Sequence, residues 1–286
     1  MVTSVATSEA ATPRENVMSV YRRIRRMILS GEVKSGQPLS QVQLATDFEI
    51  SRGPVREALR MLQREGLIEA ETNQRGRVAT FSPAEMEQVC AMLVVNVAAA
   101  ISVSDGLISE KDIERIRYRI NLIERLADNE ADSMAPSSRR IYRRQLAFRR
   151  LVTLLCQYSG PQVVQTIDGL LDRIALFRQM AQAEGETPPY PLASRFPELR
   201  EASRACDAPA MARIMVERIA DVSRKALLYV EPRHQPNLLD AYVDMALGML
   251  KDNAGGSEQD GAGFAELTIK LRGRPNSKIE YSVTHD

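Results

Sequence analysis

The chain has 286 residues, of which 44% are hydrophobic and 26% charged, a composition typical of a folded protein with room for two ordinary domains. No run of 18 apolar residues exists, and the first residues lack both a basic segment and an apolar one, so the sequence predicts neither a membrane span nor a signal peptide and favours the cytoplasm. The net charge of +1 is unevenly spread: residues 14–80 carry 12 Lys and Arg against 8 Asp and Glu, and the rest carries 26 against 29, which favours a polyanionic partner for the first part.

The first segment predicts a tail and two helices. Residues 1–13 are small and polar, which predicts a disordered tail. Apolar residues at three- and four-residue spacing predict a helix over 15–30, closed by Gly31. Ser40 with Gln43 forms a capping-box pattern, which predicts the start of a second, short helix.

A third helix and a hairpin complete this segment. The helix ends at Gly66, and we expect the Ser51 side chain to cap its first turn. Residues 67–80 predict a two-stranded hairpin in which Gly76 supplies a positive φ. Three helices followed by a hairpin predict a winged helix-turn-helix, which we place at residues 14–81.

From Ser82 onward helical periodicity dominates. We predict helices at 83–103, 110–130, 137–158, 161–183, 194–205 and 208–230. These form an all-α domain at residues 82–230, followed by a C-terminal extension at 231–286 with one helix and a candidate β-hairpin. The predicted fold class is therefore mainly α: an N-terminal winged helix-turn-helix and a C-terminal all-α helical bundle.

The third helix has a basic face opposite an apolar one. Its arginines recur every fourth residue, at Arg52, Arg56, Arg60 and Arg64. An α-helix fits the DNA major groove, and Arg can donate bidentately to guanine or to phosphate, so we predict double-stranded DNA as a partner. The competing interpretation is an ordinary solvated charged face, which the neighbouring helix, the hairpin and the net positive charge of the module disfavour.

The hairpin supplies further candidate DNA contacts. Arg75 and Arg77 flank Gly76 and are expected to reach the adjacent minor groove or the backbone. The complete set of predicted DNA-binding residues is Ser51, Arg52, Gly53, Arg56, Arg60, Arg75, Gly76 and Arg77.

The stretch VYRRIRRMILSGEVKSGQPLSQVQLATDFEISRGPVREALRMLQREGLIEAETNQRGRVA resembles the DNA-binding domain of GntR-type transcriptional regulators. Within it, SRGPVREALRMLQREGLI matches that family's recognition helix and RGRV its wing tip. The resemblance implies that Arg52 and Arg56 make the main base and phosphate contacts. It also implies that Ser51 helps to anchor a phosphate and that Gly76 lets the wing approach the DNA backbone.

The helical remainder is similar in size and helix count to the effector-binding and dimerisation domain of the FadR-like subfamily, the FCD domain. The segments AFRRLVTLLCQYSG and RACDAPAMARIMVERI carry this likeness. The resemblance implies a homodimer that binds a small-molecule effector. Many relatives hold a divalent metal there through one Asp and three His.

In this chain the corresponding positions hold Gln145, Arg149, Phe196 and Arg218. None of these side chains is a zinc ligand, and a guanidinium would repel a metal ion, so we predict no metal and no cofactor. Two arginines facing a bundle interior are expected either to bind an anionic effector or to form internal ion pairs with Asp or Glu. A third alternative is a bundle without a ligand that serves only for dimerisation.

Cysteine and histidine are the other residue types that could form a reactive or metal-binding site. The three cysteines, Cys90, Cys156 and Cys206, are far apart in apolar helical contexts, which predicts buried thiols. The two histidines, His234 and His285, lie in the predicted extension. A helical enzyme is disfavoured because the predicted globular part lacks histidine, a phosphate-binding loop and a GxSxG motif.

The sequence therefore favours a homodimeric, ligand-responsive transcriptional regulator that binds a short palindromic operator. Repression is the expected outcome, and activation stays open. The alternative is a constitutive or architectural DNA-binding protein whose helical domain only dimerises.

Overall fold

The computed structural model describes residues 16–70, 75–131, 138–183 and 196–254, and within these ranges the chain forms ten α-helices and one three-stranded sheet. The mainly α class predicted from the sequence is confirmed. The predicted tail, residues 184–195 and the predicted terminal hairpin lie outside the described residues.

The first part, which we call the winged domain, covers residues 16–80. Its elements in chain order are α1 (Val17–Leu29), β1 (Pro38–Ser40), α2 (Gln41–Asp47), α3 (Arg52–Arg64), β2 (Ile68–Ala70) and β3 (Arg75–Val78). The apolar stripe of each helix faces one core, as its three- and four-residue spacing requires. Ile24 and Ile28 of α1 and Val55 and Leu62 of α3 are fully buried there.

The sheet has three strands rather than the predicted two. Its order is β1-β3-β2, with both pairings antiparallel: Pro38 pairs with Arg77, and Ile68 pairs with Val78. The three residues of β1 are too few to show an alternating pattern, so this strand could not be predicted from periodicity.

The second part, which we call the bundle, covers residues 83–254. Its helices are α4 (Pro83–Ser102), α5 (Glu110–Ala131), α6 (Ser138–Leu155), α7 (Pro161–Ala183), α8 (Phe196–Arg204), α9 (Ala208–Val230) and α10 (Asn237–Ala254), with a single 3-10 turn at Gln157–Ser159. Helix α4 is long and apolar enough to meet the criteria for a membrane span, but 61% of its apolar window is buried by the surrounding helices. It is therefore the central core helix of the bundle.

Side-chain caps fix several helix starts. Ser82 and Glu85 form the complete capping box predicted for α4: the Glu85 amide donates to Ser82 Oγ, and the Ser82 amide donates to Glu85 Oε2. The Ser40 hydroxyl accepts from the Gln43 amide at 3.3 Å, but the Gln43 side chain turns to Asp47 instead of completing the box.

Helix α10 is part of the bundle. Its buried residues join the same core as α4 and α9. The buried carboxylate of Glu87 on α4 accepts hydrogen bonds from the Leu238 and Leu239 amides, at 2.8 and 3.0 Å, and lies 2.9 Å from Nε2 of His234. The sequence-based boundary of the all-α domain was residue 230, but in the structure α10 and His234 are part of the bundle.

The cysteines follow the prediction in two of three cases. Cys90 and Cys156 are buried, and burial raises the pKa of each thiol to about 12. Cys206 is exposed, contrary to the prediction, because it lies in the turn between α8 and α9 with a φ of 54°.

Helix α7 joins the bundle to the winged domain. Leu176 is fully buried in the core of the winged domain. Nε2 of Gln179 donates to the carbonyl of Leu29 at the end of α1, and Nε of Arg173 donates to the carbonyl of Glu65 at the end of α3. One bundle helix thus contacts the C-terminal ends of both α1 and α3.

Candidate nucleic-acid interface and ligand cavity

Helix α3 presents its arginines outward. Its buried residues are Val55, Ala58, Leu59 and Leu62, which leaves Arg52, Arg56, Arg60 and Arg64 exposed on the opposite side. The side chains of Arg56 and Arg60 are each 56% exposed. The predicted basic face therefore exists as a surface.

Glu57 lies within this basic face, next to Arg56 and Arg60. Its Oε1 atom is 2.9 Å from NH1 of Arg60 and 3.5 Å from Nε of Arg56. Both partners are more than half exposed, so these ion pairs contribute little to stability. They hold two guanidinium groups in place on the surface.

The first turn of α3 is open. Ser51 has the extended backbone of a cap residue, but its side chain makes no capping hydrogen bond, so the predicted side-chain cap is wrong. Gly53 is exposed, and a Cβ added there would meet no atom within 4 Å. Backbone amides at a helix N-terminus can donate to an anion such as a phosphate.

Gly76 has a different role from the one predicted. It lies inside β3, opposite Leu39 and Ala70, and its φ is not positive. A Cβ at Gly76 would lie 2.7 Å from Cγ2 of Ile68, which is closer than real Cβ contacts. The glycine is therefore required for close packing between β2 and β3 and not for a turn.

The two wing arginines differ. NH1 of Arg77 donates to the carbonyl of Gly36 at 2.6 Å, so this side chain is engaged with the loop before β1. The contact of Arg77 with DNA stays a prediction. The backbone of Arg75 pairs with Ser40, but its side chain and residues 71–74 lie outside the described part.

A cavity of about 70 Å³ lies between α1 of the winged domain and the bundle helices α4, α6, α7 and α9. This volume exceeds the space that a single water molecule needs. Its wall is mostly apolar, and its charged residues are Arg25, Arg149, Arg178, Arg218 and Asp172. Of the four predicted effector residues, Gln145, Arg149 and Arg218 line it.

Phe196 contributes through Arg218. Arg218 is only 3% exposed, and its guanidinium carbon lies 4.0 Å from the centroid of the Phe196 ring. A guanidinium over an aromatic face is a favourable contact. The structure therefore places Arg218 and Phe196 together, although Phe196 itself is not part of the cavity wall.

Arg149 forms ion pairs within the protein. Its Nε atom is 2.9 Å from Oδ1 of Asp168, and NH1 is 2.5 Å from Oδ1 of Asp172. On the other side of Asp172, Oδ2 accepts from Nε of Arg25 at 3.0 Å and also from NH2 of Arg25. The sequence pattern did not indicate that Arg25 lines this cavity, because α1 belongs to the winged domain.

Burial is the main cause of the shifted pKa values of these acids. It raises the pKa of Asp172 to about 6, against the opposing effect of the Arg25 charge, and it also raises the pKa of Asp168. Burial likewise raises the pKa of Glu65, whose carboxylate accepts a hydrogen bond from the Tyr21 hydroxyl at 2.8 Å.

The four residues at the positions where the resemblance implied a metal site, Gln145, Arg149, Phe196 and Arg218, do not fit a metal ion. Two of them are arginines, and a guanidinium has no lone pair to offer a cation. Among the described residues, no group of three or more His, Cys, Asp and Glu could hold a metal ion.

Comparisons with known proteins agree with this geometry. Residues 16–78 match the family model described as bacterial regulatory proteins, gntR family. The chain is 29% identical over 77 residues to the HTH-type transcriptional regulator YdhC of Bacillus subtilis, covering 27% of this chain and 34% of that protein. It is 46% identical over 52 residues to the gluconate operon transcriptional repressor of Bacillus subtilis, covering 18% and 21%.

Two longer matches reach the bundle. The HTH-type transcriptional repressor RspR of Escherichia coli is 24% identical over 214 residues, covering 71% of this chain and 86% of that protein. The structure of E. coli McbR/YncC superposes with a TM-score of 0.62 at 17% identity, over 76% of this chain and 98% of the other, which supports the shared fold. Residues 16–78 therefore form a winged helix-turn-helix domain whose sequence matches the gntR family model.

Proposed function

We propose that this protein is a cytoplasmic, non-catalytic transcriptional regulator that binds a short palindromic operator as a homodimer and responds to a small anionic effector. The outward arginine face of α3 is the observation that carries the DNA-binding part. A helix with exposed guanidinium groups, next to a wing, has the dimensions and the donors needed to enter a major groove.

The names of the relatives favour repression as the outcome. RspR and the gluconate operon protein are both called transcriptional repressors. The chain spans only 34% of YdhC and 21% of the gluconate repressor. The effector and the mode of assembly are therefore proposed from the bundle of this chain itself.

The proposed palindromic operator requires a homodimer, since two copies related by a two-fold axis read two half-sites. Helix α10 offers a surface for the second copy: Leu238, Met245 and Met249 lie at seven- and four-residue spacing and are 39%, 47% and 39% exposed. Exposed apolar side chains at such spacing form one stripe along a helix. The dimer is tested by multi-angle light scattering of the natural protein and of Met245→Lys.

The effector part rests on the cavity. Four arginines and one carboxylate line it, so an anion is the complementary ligand, and the apolar remainder of the wall suits a small organic acid. This cavity favours a regulated protein over the constitutive alternative. A ligand that prefers one arrangement of the two domains shifts DNA affinity by that preference.

The function is tested with duplexes from the region upstream of the protein's own gene. Fluorescence anisotropy should detect one segment bound at least about a hundredfold more tightly than a shuffled duplex, with affinity falling steeply as salt rises. Equal affinity for all duplexes would refute a sequence-specific regulator.

A further inference from the structure

The cavity is shared between the two parts of the chain. The winged domain contributes Arg25 and Leu29 from α1, and the bundle contributes the rest of the wall. A ligand in this cavity would therefore touch the winged domain directly, without an intervening helix.

Asp172 is the single carboxylate among the four arginines that line the cavity. It is 5% exposed, and each of its oxygens is held by a different part of the protein. Oδ2 accepts from Arg25 of the winged domain, and Oδ1 lies 2.5 Å from NH1 of Arg149 in the bundle. Two guanidinium groups on one carboxylate form the arrangement that also binds a ligand carboxylate.

The bridge that Asp172 forms between Arg25 and Arg149 lies on the side of the cavity that faces a larger groove. A larger open groove of about 680 Å³ lies against α5 and α6, and Arg25, Leu146 and Arg149 line both the groove and the cavity. An acid that enters from the groove would meet the two guanidinium groups before it reached the apolar wall.

Building on the proposed ligand cavity, we propose that Asp172 is a built-in substitute for the carboxylate of the ligand, and that Arg25 and Arg149 are the arginines that bind it. The ligand is a small organic acid with one carboxylate and an apolar body. When its carboxylate takes the two guanidinium groups, Asp172 loses both partners and accepts a proton from solvent, which leaves the buried side chain neutral.

The energetics of Asp172 agree with this exchange. Burial already raises its pKa to about 6, so protonation near neutral pH requires little free energy. Buried ion pairs often gain little over their desolvation cost, which makes such a bridge replaceable. Once the ligand has displaced Asp172, Arg25 is held by the ligand instead of by α7. The docking of the winged domain on the bundle then depends on whether the cavity holds a ligand.

The test is calorimetric titration with sodium benzoate as the probe, close to neutral pH. Asp172→Asn removes the competing charge at constant shape and should bind benzoate at least about tenfold more tightly than the natural protein. Arg25→Gln should weaken binding by a similar factor. Asp221→Asn is the matched control, because it removes an acid that pairs with Arg224 away from the cavity.

Proton uptake gives a second measurement. Titrations in two buffers with different ionisation enthalpies should reveal uptake of up to about one proton by the natural protein and none by Asp172→Asn. Circular dichroism of each variant checks its fold, and Arg25→Gln, with a partly exposed side chain, keeps the test open if Asp172→Asn fails to fold.

Benzoate that binds Asp172→Asn no more tightly than the natural protein, or that binds neither, would overturn the inference. So would full affinity in Arg25→Gln. These titrations contain no DNA, so a failure to bind any operator would refute the regulator function while leaving the shared anion site in place.

Discussion

Nε of Arg173 on α7 donates a hydrogen bond to the carbonyl of Glu65, the residue that ends the arginine-bearing helix α3, at 3.2 Å. The bundle thus holds the C-terminal end of the candidate recognition helix. Arg173 also packs against Gly66, where an added Cβ would lie 2.7 Å from NH2.

We expect Arg173→Met to loosen this junction while it keeps much of the apolar side-chain packing. Loss of one hydrogen bond to a charged donor should lower the free energy of unfolding by about 1–2 kcal/mol. Hydrogen exchange should quicken at residues 62–67 in particular. Arg213→Met, on an exposed part of α9, is the control, and equal exchange profiles for the two variants would contradict a specific junction.

Gly76→Ala should destabilise the wing because the new Cβ would collide with Cγ2 of Ile68. We expect a loss of about 1–3 kcal/mol in the free energy of unfolding, measured with urea. In an Ile68→Ala background the same substitution should be much less damaging, since the colliding atom is gone. Additive losses in this double-mutant cycle would exclude the steric explanation.

Glu57→Gln should strengthen DNA binding. The substitution releases Arg56 and Arg60 from their carboxylate partner and removes a negative charge that faces the phosphates. An increase in affinity of about two- to fivefold is expected, because exposed ion pairs are weak. Glu198→Gln, an exposed acid on α8, provides the same charge change in the bundle and should leave DNA affinity unaltered.

Asp172 predicts a pH dependence of stability. Its pKa in the folded protein is about 6, above the ordinary value of 3.8, so the folded state holds this proton more tightly than the unfolded state. The associated stability is fully present below about pH 4 and is lost as pH rises through about 6. Relative to Asp172→Asn, the natural protein should lose up to about 3 kcal/mol across this range in urea unfolding. If the free energy of unfolding of the natural protein, relative to that of Asp172→Asn, stays constant or increases as pH rises, the raised pKa is contradicted.

The sequence predicted the elements with strong local signals. The apolar spacing of α3 and the Ser82 capping box determine those helices locally, and the structure has both. Gly76 illustrates the opposite case: a glycine between two arginines is typical of a turn, but the requirement for it comes from Ile68, a cross-strand neighbour.

Contacts between the domains had no sequence signal. Arg25 and Asp172 are 147 positions apart, and nothing in the periodicity of α1 or α7 indicates that they form a pair. The same holds for Glu87, which caps α10 from another helix. Residues that depend on tertiary packing for their role were therefore missed, whereas residues on one helical face were found.

The direct test of the central claim is the DNA affinity of the Arg52→Ala/Arg56→Ala double variant, measured by fluorescence anisotropy on the upstream duplex at one fixed salt concentration. Arg213→Ala serves as the reference, because it removes one exposed arginine from the bundle. Each lost guanidinium contact should weaken binding about tenfold, so the double variant should bind about a hundredfold more weakly with its fold unchanged. A double variant that binds the duplex as tightly as the natural protein would show that the outward face of α3 does not contact DNA.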